Sequence, residues 1–71
     1  MEFIIVIVPG KEGMDIDVLI QNQKNGKTEE VLILGSSGYV SVSVDLAGAE
    51  EKIVQVMNTT PDHPMTVMVN A

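Results

Sequence analysis

Three observations predict an α+β fold for this chain. Short runs of β-branched residues recur between turn signals, an Asn-Gly pair separates two of them, and one later segment has apolar residues at helical spacing. The expected order is β-β-β-β-α-β, a small, twisted, mostly antiparallel sheet with one helix packed on one face. The alternative is an all-β sandwich of six short strands, and residues 46–57 decide between the two.

Phe3-Ile4-Ile5-Val6-Ile7-Val8, closed by Pro9-Gly10, reads as a first strand. It is apolar on both faces, so Phe3, Ile5 and Ile7 need one covering layer and Ile4, Val6 and Val8 another. Pro9 to Gly13 is a turn. Asp15 to Gln23 is a second strand, with Ile16, Val18 and Ile20 on its apolar side. Asn25-Gly26 then predicts a type I′ hairpin, because both central positions of that turn need positive φ. That register would set Lys24 opposite Lys27, Ile20 opposite Val31 and Val18 opposite Ile33. Val31 to Leu34 completes the third strand, and Gly35-Ser36-Ser37-Gly38 is a turn.

Tyr39 to Val44 is the fourth strand, with Val40, Val42 and Val44 inward and Ser41 and Ser43 outward. In the next segment Leu46, Ala49, Ile53, Val56 and Met57 form one helical stripe. Asp45 stands at an N-cap position, and Glu50 and Glu51 lie where the helix macrodipole favours acids. A helix over residues 46–57 is therefore expected. Asn58 to Pro64 is a loop, and Met65 to Asn70 is a last strand with Val67 and Val69 on one side and Met68 on the other. Gly38-Tyr39-Val40, followed by Val44-Asp45-Leu46-Ala47-Gly48, resembles the strand and turn of HicB-type antitoxins. Val44 and Ala47 stand where that family has proline, and the match is confined to residues 38–48. It implies a strand and turn there, and no function is carried over from it.

Seventy-one residues form a single domain, 1–71. A chain this short buries only about 60% of its unfolded surface, so it needs a staple, a very regular core or oligomerisation. There is no cysteine, which excludes disulfides and thiolate metal sites. Apolar residues make up 45% of the chain, more than one small core consumes, and the excess points to association. With one helix on one side of the sheet, Ile4, Val6, Val8, Leu32, Leu34 and Met68 are expected to form an uncovered apolar face.

The formal charge is −6, from ten acids and four lysines, without any arginine. Phosphate and base readers depend on arginine, and one tyrosine and one phenylalanine leave little to stack on bases, so nucleic acid is not an expected partner. No run approaches a membrane-spanning length, and the N-terminal run is too short for a signal peptide. A cytoplasmic location is the expectation.

Each chemical motif has a plainer reading. His63 is the only histidine, in a turn between Pro61 and Pro64, with no second histidine or cysteine to work with. Asp15 and Asp17 flank Ile16 but lack a calcium-loop pattern, and suit a solvated strand edge. Neither glycine-rich turn continues into a phosphate-binding helix. Asn58-Thr59-Thr60 fits a glycosylation sequon, which has a use only in a secreted protein. The methionines serve as adaptable core filling or as a yielding interface.

The sequence thus predicts a protein that is not an enzyme and uses no metal or cofactor. The expected role is a small acidic protein-binding module, an inhibitor or regulator that blocks a partner protein, of the kind encoded by viruses against host factors. Its contact surface would be Ile4, Val6 and Leu32, rimmed by Asp15, Asp17, Glu29 and Glu30 and matched to a basic protein surface. The alternative is a structural homo-oligomer, in the simplest case a homodimer, using the second apolar sheet face for self-association.

Overall fold

Burial alternates with period two along the strands of this chain, and no segment forms a helix. The computed structural model describes residues 1–71. It contains seven strands: β1 (Glu2–Ile7), β2 (Asp17–Ile20), β3 (Gln23–Lys27), β4 (Leu32–Leu34), β5 (Gly38–Val44), β6 (Lys52–Val56) and β7 (Met65–Met68). They form a three-stranded sheet in the order β4-β1-β7 and a four-stranded sheet in the order β3-β2-β5-β6. All pairings are antiparallel except β1 with β7, which is parallel. The expected α+β fold is therefore replaced by its all-β alternative, with one strand more than foreseen.

The helix expected over residues 46–57 is where the two readings part. Residues 46–49 make a tight turn, with the Ala49 N–H donating to the Leu46 carbonyl and Gly48 at φ 78°. Positive φ at that third position marks a type II turn, which glycine adopts without steric cost. Lys52–Val56 then pairs with β5, Val54 opposite Val40 and Ile53 opposite Ser41. Ile53, Val54 and Val56 are β-branched and poor in helices but fit a pleated surface. Val56 is fully buried while Ile53 and Met57 are exposed, so period two overrides the helical stripe.

The Asn25-Gly26 hairpin is also corrected. The turn is made instead by Gln21 and Asn22, at φ 52° and 64°, so Ile20 faces Gln23 and Leu19 faces Lys24. Asn25-Gly26 lies inside β3, at a bulge where the register shifts between Asp17 and Leu19. Gly26 is favoured there twice over: its φ is 76°, and a Cβ would overlap Leu32 Cδ2. Val18 consequently pairs with Val44 rather than Ile33.

The chain passes between the sheets at Thr28-Glu29. The Thr28 N–H donates to the Ile16 carbonyl beside β2, and the next N–H, of Glu29, donates to the Val6 carbonyl of β1. Both sheets are stitched together at that corner, and the buried Thr28 hydroxyl donates to the Met14 carbonyl at 3.0 Å. Between the sheets lies one core of thirteen buried residues, all valine, isoleucine or leucine. Ile4, Val6, Leu32, Leu34 and Val67 come from one sheet, and Val18, Ile20, Val42, Val44 and Val56 from the other. The core holds no aromatic ring, and the only phenylalanine and tyrosine lie outside it.

Candidate functional site

The expected contact surface on the first strand exists, but on the opposite side of that strand. Ile4 and Val6 have no exposed surface and Leu32 has 4%, so these side chains, with Val8 and Leu34, fill the core and cannot touch a partner. The four-stranded sheet, rather than a helix, supplies their cover. The residues left outside are their neighbours: Phe3, Ile5 and Ile7 on β1, Ile33 on β4 and Met68 on β7. Phe3 stands opposite Ile33, Ile5 opposite Thr66 and Ile7 opposite Met68, so they share one face. Ile33 is 57% exposed and Met68 43%, and Val31, just before β4, is also exposed. Of the residues once grouped as uncovered, Met68 alone lies on this face. No charged residue occupies it.

The acids expected to rim the surface are engaged elsewhere. Asp17 lies on the other sheet, where its carboxylate meets Lys27 Nζ at 2.7 Å and Lys24 Nζ at 3.4 Å. The hydrogen bond and charge of Lys27 hold the Asp17 carboxyl below its usual range, and Asp17 in turn raises the Lys27 ammonium. Glu29 accepts from the Gly13 N–H at 2.7 Å and Glu30 from the Lys27 N–H at 3.1 Å, so both close local loops. Asp15 is exposed. His63 is an exposed turn residue whose N–H donates to the Thr60 carbonyl and hydroxyl.

One acid that sequence reading passed over has a structural task beside this face. Glu2 shares the inward side of β1 with Ile4, Val6 and Val8 and is only 6% exposed. Its carboxylate accepts from the hydroxyls of Ser37 and Thr59 and from the Thr59 N–H, the last at 2.9 Å. The Thr59 hydroxyl oxygen accepts in turn from the Phe3 N–H at 2.7 Å. Chiefly the Ser37 hydroxyl, then Thr59, lowers the Glu2 carboxyl to about 2. Glu2 thus ties β1 to the β4–β5 and β6–β7 loops and fixes where Phe3 enters the outer face. An acid in phase with buried aliphatics is the signal that would have found it.

What this arrangement can do is present a mostly apolar surface without charged side chains, interrupted by Thr66, on a three-stranded sheet. Strands of six, three and four residues, at about 3.3 Å per residue and about 4.8 Å spacing, give a footprint of roughly 200 Å². A patch of that size lies within what ordinary monomers expose, and such patches are often functional. Compared with protein-family models, curated proteins and solved structures, the chain finds no match, so its reading rests on this geometry.

Proposed function

We propose that this chain is a non-catalytic structural module that self-associates, with the outer face of β4-β1-β7 packed on its copy about a two-fold axis. The observation that carries this reading is the face of Phe3, Ile5, Ile7, Ile33 and Met68, free of charge in a chain of net charge −6. A basic foreign partner would need free acids around the patch. Asp17 is instead paired with lysines on the other sheet and Glu29 and Glu30 accept from backbone N–H groups, which leaves Asp15 as the one expected rim acid without a partner. An uncharged face suits an identical uncharged face, and two such sheets pack at about 10 Å with their strands roughly aligned. Absence of cysteine suits a reducing compartment such as the cytoplasm.

A footprint of roughly 200 Å² is well under the ~800 Å² per partner of a standard stable interface, so the dimer is reversible. Sedimentation velocity across a range of protein concentration, at low and high salt, tests the reading. Two copies that each carry −6 repel, so salt screens the repulsion and strengthens the dimer. A monomer at every concentration and salt sinks the proposal. Binding to a basic protein that weakens as salt rises would favour a regulator of a foreign partner instead.

A further inference from the structure

The surface has a cleft of about 210 Å³, between the β2–β3 turn, the bulge of β3 and the β4–β5 loop. Ile20 and Leu34 contribute apolar lining, and Gln21, Asn25, Ser36 and Tyr39 contribute polar groups. No charged residue lines it. Tyr39 is 73% exposed, with its ring available as one wall. Gln21 gives its Oε1 to the Ser41 N–H at 2.7 Å, which leaves its amide NH₂ free, while Asn25, Ser36 and Tyr39 enter no side-chain hydrogen bond within the chain. Free amides donate and accept, free hydroxyls do both, and an aromatic ring offers a flat apolar face.

We propose that this cleft binds one ring of a neutral sugar, its hydroxyls met by Gln21, Asn25 and Ser36 and its apolar face laid on Tyr39. A polyhydroxylated ring is the ligand class that needs both donors and acceptors without charge, together with one apolar side. The volume, below the 300 Å³ and more of typical drug-sized sites, limits the occupant to a single ring. The Glu2 carboxylate, hydrogen-bonded to the lining residue Ser37, and the overall charge of −6 disfavour an anion. Gln21 and Asn22 hold the left-handed conformation beside the cleft, so its rim is set by the hairpin itself rather than by a loose loop. None of its lining residues belongs to the association face, although Leu34 follows Ile33 on β4.

The chain carries one tyrosine and no tryptophan, so the ring signals and fluorescence of Tyr39 report on the cleft directly. The experiment is a titration with methyl glycosides of glucose, galactose, mannose and N-acetylglucosamine, read by amide and tyrosine-ring NMR shifts. Saturable shifts at Gln21, Asn25, Ser36 and Tyr39 with at least one of them are expected, with binding about tenfold weaker in Tyr39→Ala. Tyr39 is exposed, so that variant folds, and the unperturbed amides of the core valines verify it. Asn25→Ala gives a second, independent loss. Absence of shifts with every glycoside overturns the proposal, as does unchanged binding by Tyr39→Ala. Tighter binding of glucose 6-phosphate than of the neutral glucoside overturns the neutral class.

Discussion

The outer face of β4-β1-β7 carries Phe3, Ile5, Ile7, Ile33 and Met68 with Thr66 and no charged side chain, whereas that of β3-β2-β5-β6 mixes Asp17, Lys24, Ser41, Ser43 and Gln55 with Leu19, Tyr39 and Ile53. Both sheets give aliphatic side chains to the same core, so the inner faces do not differ in kind. The contrast comes from one strand in each sheet. In β5 valines alternate with serines, and the strand is complete once one side is covered. In β1 every residue from Phe3 to Ile7 is apolar, and one cover leaves a second face wanting another. An outer face without charged side chains on one sheet only is the asymmetry on which the proposed association rests.

The sharpest break of that comparison is between two neighbours on β1. Ile4→Ala removes a fully buried side chain and should cost about 2–5 kcal/mol, enough to threaten a domain this small, whereas Ile5→Ala should cost the monomer far less. Chemical denaturation of the two variants at low protein concentration checks this. Gly26→Ala should follow, at about 1–3 kcal/mol, because its Cβ would overlap Leu32 and its φ is positive. A melting temperature equal to that of the parent would contradict the packing described for the β3 bulge.

Association separates the outer faces. Ile5→Lys should abolish the dimer by placing a charge at the centre of the apolar face, while Ser43→Lys on the other sheet should leave sedimentation unchanged. Equal effects of the two would mean that the outer faces are equivalent after all.

Acid should loosen the apolar sheet first. The folded-state pKa of Glu2, about 2, lies below its ordinary 4.5. The folded state therefore holds that proton more weakly than the unfolded one, and the clamp's contribution is full above about pH 5. It declines as pH falls from there toward 2, and Glu2→Gln should flatten this part of a melting-temperature profile against pH. An undiminished slope in that variant would assign the loss to other carboxylates. The smallest effect belongs to the polar sheet: Lys24→Ala removes an exposed partner of Asp17, and the melting temperature should barely move.

Of the candidate site the sequence made legible the strand that carries it but not the residues: none of the seven expected at the contact surface lies on the outer face of β4-β1-β7. The double apolar character of Phe3 to Val8 announces that two covers are needed, but alternation alone does not say which of the two sets faces inward. Leu32 and Leu34 on β4 and Val67 on β7 settle it by sharing the Ile4 and Val6 side. The acids near this strand suggested a charged rim because sequence proximity was the only guide to position. In space Asp17 belongs to the other sheet.

The sequence by itself determined the period-two patterning of β1, β5 and β7, the turns at Pro9-Gly10 and Gly35-Ser36, and the inward valines Val42, Val44, Val67 and Val69. These depend on local sterics and on hydrophobic alternation, which a single strand already expresses. Only the tertiary structure decided the rest. Residues 52–56 are a strand because β5 offers a ladder and a side for Val54 and Val56 to bury, an advantage that no local propensity records. The hairpin closes at Gln21-Asn22 because its neighbour β2 pairs Val18 and Ile20 with Val44 and Val42, and Gly26 is needed for the close approach of Leu32. Turn preference amounts to a small local term, and burying three aliphatic side chains of β2 and its approach, Ile16, Val18 and Ile20, outweighs it.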